Sequence, residues 1–201
     1  MNKYFLLLIV VFSFVTPTNS VYAENDSPTP LVETFHSALI DVMTHADALG
    51  FQGRYDKLDP VISSSFYFPL MMQIATGGHW KKATAAQQSA MSNAFHKIST
   101  STYAARFDGF SGQTFKTLEE IPGPQKTTLV KTLLVNPGGD NVELVYVTRK
   151  IKDRWQIFDV LLDGGISEIA VRRSEYRRIL KAGGVDKLIT LLDQQAKNLK
   201  K

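Results

Sequence analysis

Four histidines, two late aspartates and a cluster of arginines are the residues in this 201-residue chain whose types invite chemistry. His36, His45, His79 and His96 contain no H-x-x-x-H or similarly close pair, so they read as surface or helix-end residues rather than metal ligands. Asp159 and Asp163 fall four residues apart on one side of a candidate strand, where paired carboxylates do acid–base work. Beside Gly164-Gly165 they also read as turn and cap acceptors, which is the simpler account. Gly109-Phe110-Ser111-Gly112 is the nearest string to a nucleophile elbow, but it stands at a helix-to-strand turn rather than a strand-to-helix one. Neither a P-loop nor a G-x-G-x-x-G is present. The chain has no cysteine, which removes disulfides, thiolate catalysis, Cys-ligated zinc, iron–sulfur clusters and lipoprotein anchoring together. No cofactor and no metal is implied.

The basic residues gather late. From Arg172 onward there are nine Lys and Arg against three Asp and Glu, whereas the whole chain carries only +4. That mild total does not by itself point to nucleic acid. Arg172, Arg173, Arg177 and Arg178 lie four to five residues apart in pairs and share one helical side. Such a face meets anionic headgroups or an acidic partner protein, or stays an ordinary solvated surface.

Elements must position these groups. Val32, Phe35, Leu39, Val42, Met43, Ala46 and Leu49 recur at helical spacing, with Gly50 and Gly53 as stops. Asp59-Pro60 reads as an N-cap and first-turn proline opening a short helix through Ile62. A second short helix runs from Pro69 to Ala75, and Thr84 caps a longer one to about Phe107, with Ala90, Met91, Ala94, Phe95, Ile98 and Tyr103 on its buried side. The period then changes to two. Residues 113–121, 126–136, 141–151 and 154–163 predict four strands with short links, hence antiparallel neighbours. Helices over 167–182 and 185–199, separated by Gly183-Gly184, close the chain. The fold class is α+β.

The strands are apolar on both faces. One face of the third carries Val142, Leu144 and Tyr146, the other Val145 and Val147; the second alternates Leu129 and Leu133 with Val130 and Leu134. In the fourth, Trp155, Ile157 and Leu161 oppose Phe158, Val160 and Leu162. A meander with one wet face alternates more cleanly, so both faces are expected to be covered, by helices, a partner or an apolar ligand. At the other end, Lys3, the apolar run Tyr4 to Val15, Pro17 and Val21-Tyr22-Ala23 read as a secretory signal over 1–23, followed by a flexible Pro/Ser/Asp-rich leader over 24–30.

Three stretches carry a family resemblance. The first is Arg54-Tyr55-Asp56-Lys57-Leu58-Asp59-Pro60, continuing through Phe66-Tyr67-Phe68-Pro69-Leu70-Met71-Met72. The second is Gly78-His79-Trp80-Lys81 with Thr84, Gln87, Phe95, Tyr103-Ala104 and Arg106-Phe107. The third is Trp155-Gln156-Ile157-Phe158-Asp159-Val160, then Asp163 to Glu168 and Arg172 to Tyr176. In order and spacing over roughly 31–195 the chain resembles the MlaC family, the soluble lipid-binding component of lipid-transport ABC systems first linked to toluene tolerance. Phe66-Tyr67-Phe68, where that pattern more often has Phe-Asp, brings it nearest the hopanoid-associated HpnM branch.

The resemblance implies an NTF2-like four-stranded antiparallel sheet whose flanking helices enclose an apolar cavity, in one domain over 31–199. It implies a non-catalytic, monomeric periplasmic carrier of a phospholipid or hopanoid-type lipid, with inner- and outer-membrane complexes as partners and outer-membrane lipid asymmetry as the setting. One acyl chain of about 16 carbons gains about 13 kcal/mol gross on leaving water, which is why such a lipid needs a carrier. Period and family position together point to Met71, Met72, Ile74, Trp80, Phe95, Tyr103, Leu133, Tyr146, Val147 and Phe158 as lining residues, and to Arg172, Arg173, Arg177 and Arg178 for partner docking. The rival reading is an NTF2-like enzyme on a small apolar substrate, with Asp159 or Asp163 as base.

Overall fold

A computed structural model describes residues 26–163 and 165–200. The expected signal segment 1–23 lies outside them. The first helix, α1 (Thr29–Thr44), starts on Pro30 in its first turn and buries Val32, Phe35, Leu39, Val42 and Met43 along one stripe. Of the expected leader, Thr29 and Pro30 already belong to this helix. Asp26 accepts from Lys150 Nζ (2.6 Å) and Trp155 Nε1 (2.9 Å).

The second helix, α2 (Ala46–Ser65), corrects two expectations. Gly50 does not end a helix begun before it but kinks α2, with φ 56° and ψ −174°, a conformation open in practice only to glycine. Asp59-Pro60 opens nothing: Pro60 stands inside α2. Leu58 and Ile62 on either side are fully buried, and that burial outweighs the weak local preference for a break. Pro60 and Asp56 are exposed, so the carbonyl that Pro60 leaves without a donor faces water.

Next come α3 (Phe68–Thr76), α4 (Gly78–Lys82) and α5 (Ala85–Arg106). The last begins at Thr84, as expected, in a reciprocal capping box with Gln87. Then follow β1 (Thr114–Pro122), β2 (Thr128–Val135), β3 (Val142–Ile151), β4 (Arg154–Leu162) and a short β5 (Ile166–Ser167), in that spatial order and all antiparallel. The sheet therefore has five strands where four were expected. Two residues are too few to show a period, which is why β5 has no signal of its own. The tight β3–β4 turn places Lys152 and Asp153 at positive φ, as a two-residue hairpin link requires. The chain closes with α6 (Glu168–Asn198), broken into two arms at Gly183 and Gly184.

A bulge in β4 decides which of its side chains face the helices. In β4 the register against β3 shifts between Ile157 and Asp159, leaving Phe158 as the extra residue. Ile157 and Val160, expected on opposite faces, thereby share the inner one, and the bulged Phe158 packs half-buried against the core. Val130, Tyr146, Ile157 and Val160 enter the helical core. On the other face Leu129, Leu133, Val147 and Leu161 stay half-buried around the buried Val145, beside a Lys131–Glu119 ion pair of 2.6 Å.

Candidate functional site

An apolar cavity of about 200 Å³ opens between the inner face of the sheet and the helices. Every layer of the fold contributes to it. Leu39 comes from α1, Ile62 from α2 and Met71 from α3; Phe95, Ile98, Tyr103 and Phe107 line the α5 side. The sheet adds Phe115, Leu144, Tyr146, Val160 and Leu162, and α6 adds Ile169 and Tyr176. Phe35 braces this wall from behind, edge-on to Phe66 and Tyr103 with centroids 5.2 Å away in both cases. Burial pushes the Tyr103 and Tyr176 phenols well above their ordinary range, so both are neutral.

Among the described residues, Tyr146 carries the one buried polar link of the inner sheet face to α1. His36 Nε2 lies 2.9 Å from the Tyr146 hydroxyl, and its ring stacks on Phe115 at 3.9 Å and 10°. Burial holds this histidine at about 4, below the ordinary value. The expectation of a surface residue fails here because His36 follows Phe35 on the buried stripe of α1 and finds its partner 110 positions away. Of the others, His45 and His96 sit beside Asp41 (3.1 Å) and Asp59 (3.2 Å). No group of three His, Asp or Glu among the described residues is placed to hold a metal ion.

Four of the ten expected lining residues meet on the cavity wall: Met71, Phe95, Tyr103 and Tyr146. Met72 is fully buried in the core instead. Ile74 and Trp80 pack half-buried against the core without reaching the cavity. Leu133 and Val147 have the wrong parity and stand on the outer sheet face. Phe158, the bulged residue, also packs half-buried against the core without lining the cavity, its ring under the Arg149 guanidinium at 5.4 Å. Leu144 was within reach of reasoning, since it alternates with Tyr146. Leu39, Ile62 and Ile169 were not, because only the tertiary arrangement separates cavity wall from plain core.

The four arginines do not form one face. Arg172 reaches the cavity, and with Arg178 it lines a groove between the arms of α6. Arg173 and Arg177 point the other way, toward Ala75 to His79. Neither candidate base lines the cavity. Asp159 Oδ1 accepts from the Val160 and Ile169 amides (2.9 and 3.1 Å), and Oδ2 accepts from Ser167 Oγ (2.6 Å). It is a structural anchor for the start of α6. Asp163 is an exposed turn residue at φ 33°.

The model of the family described as MlaC protein matches residues 33–194. The chain belongs to the MlaC family. A solved structure with a similar fold is that of a phospholipid-binding protein from Ralstonia solanacearum, determined in complex with a phospholipid. It is 23% identical, with a TM-score of 0.74, over 86% of this chain and 98% of that one. In this MlaC-family chain the matched span takes in every cavity-lining residue except Gln195 at the rim.

Proposed function

We propose that this protein is a non-catalytic, monomeric carrier that is exported through its N-terminal signal to the periplasm. There it takes a phospholipid or hopanoid-type lipid from one membrane complex and delivers it to another. The observation that carries the reading is the apolar cavity whose wall is assembled from α1, α2, α3, α5, α6 and the sheet. Family membership and the phospholipid held by the Ralstonia protein support it. Pockets for drug-sized ligands run to roughly 300–1,000 Å³, so a cavity of about 200 Å³ has to widen to admit acyl chains. The Gly183-Gly184 break in α6 supplies a place for that movement. Organic extraction and native mass spectrometry of the purified mature protein test the reading. One lipid per chain, exchangeable with liposomes, is expected; protein that is free of lipid and takes none up overturns it.

A further inference from the structure

Charge enters the cavity in one place. Among its lining residues only Arg106, Glu168 and Arg172 are ionised, and all three lie around the Tyr103 and Tyr176 rings. Arg172 faces Glu175 at 3.0 Å and Glu168 at 3.8 Å, both on its own helix. These pairs are partly open to water, where an ion pair holds a guanidinium weakly, and it can exchange them. Arg106, at the exposed end of α5, makes no ion pair or side-chain hydrogen bond among the described residues.

The cavity also continues outward. A groove of about 580 Å³ between the two arms of α6 shares Arg172, Tyr176 and Gln195 with it and adds Ser174, Glu175 and Arg178. Two arginines against Glu168 leave one positive charge uncompensated at the cavity. Arg178 and Glu175 cancel in the groove, so the excess stays at one. A phosphodiester carries one negative charge, and a guanidinium fork matches its oxygens.

We propose that Arg106 and Arg172 form a headgroup seat where the apolar cavity meets the α6 groove, so that the protein prefers lipids whose phosphodiester head is net anionic. This rests on the carrier reading and narrows its cargo. The acyl chains enter the cavity, the phosphate bridges the two guanidinium groups, and the rest of the head extends into the groove. A zwitterionic head leaves the excess charge unmatched, and an uncharged polycyclic or diacylglycerol head leaves both arginines unanswered.

The test is competition. Protein stripped of lipid is mixed with liposomes holding equal phosphatidylglycerol, phosphatidylethanolamine and diacylglycerol, and bound lipid is read by native mass spectrometry. At least a fivefold excess of phosphatidylglycerol over diacylglycerol is expected, with phosphatidylethanolamine between. In R106Q/R172Q that ratio falls to near one, each single variant falling part of the way, and R177Q on the other side of α6 keeps it. Equal loading of the wild type with the three lipids overturns the seat, as does an unchanged ratio in the double variant or an equal fall in R177Q. Free glycerophosphate in excess leaves the bound lipid in place; displacement by it overturns a lipid headgroup as the ligand. Failure to load any of the three lipids overturns the phospholipid form of the carrier reading together with the seat, a result separate from loss of preference.

Discussion

Arg54 shows how much of this fold hangs on single side chains. It is only 8% exposed, and it donates through Nε to the Ala104 carbonyl (2.8 Å) and through Nη1 to the Ala46 carbonyl (3.0 Å). The second bond serves the turn of α2 that the Gly50 kink interrupts, and the first ties α2 to the end of α5. R54M keeps the bulk and orphans two carbonyls, so a loss of about 2–4 kcal/mol in urea unfolding is expected. His36 gives a second prediction. Its neutral form is held to about 4 in the fold, whereas the unfolded chain takes the proton near 6.5. Its contribution is therefore complete above about pH 6.5 and fades as pH falls toward 4, by about 2 kcal/mol at pH 5. H36Q retains a partner for the Tyr146 hydroxyl, so its stability difference between pH 7.5 and pH 5 should shrink by about that amount; an unchanged difference assigns the dependence to other groups. Arg54 stood out in the sequence as part of a recognisable stretch. The role of His36 did not, because nothing local announces a partner on a distant strand.

Elements were legible where capping and period agreed. Thr84 and Gln87 mark the start of α5, and the glycine pair at 183–184 divides α6. They were illegible where burial overruled a local signal, as at Pro60, and where a bulge inverted the alternation, as at Phe158. That inversion brought Ile157 onto the inner face beside Val160, while Phe158 stops short of the cavity. Asp159 sits just after the bulge, and its carboxylate joins β4, β5 and the first turn of α6. D159A leaves the Ile169 amide, on a buried residue, without an acceptor and is expected to cost about 1–3 kcal/mol. D163A, at an exposed turn, is expected to stay within about 0.5 kcal/mol. Chemical denaturation of the two variants separates an anchor from a base: a catalytic carboxylate outside the packing would show the reverse, with stability kept in D159A.

At the scale of the whole molecule, the doubly apolar sheet resolves into two unlike faces. The inner face meets five helices and leaves a void among them; the outer carries a half-buried aliphatic stripe outside the main core. Composition showed that both faces were apolar, but not that one of them encloses space, because a cavity is a property of how layers meet. A void of this kind lowers the stability of the empty protein, since its lining has lost packing partners. Filling it should therefore stabilise the chain and remove its function together. Ile98 is half-buried on the α5 wall and Leu144 is half-buried on the sheet wall. I98F/L144F adds ring volume from both sides. The stripped variant is expected to gain about 0.5–2 kcal/mol over the stripped wild type. Added lipid, which stabilises the wild type by mass action, should raise the wild-type melting temperature and leave that of the variant unchanged. A variant that still takes up lipid and still gains from it would place the acyl chains outside this cavity, whereas loss of both responses with the fold retained places them in it.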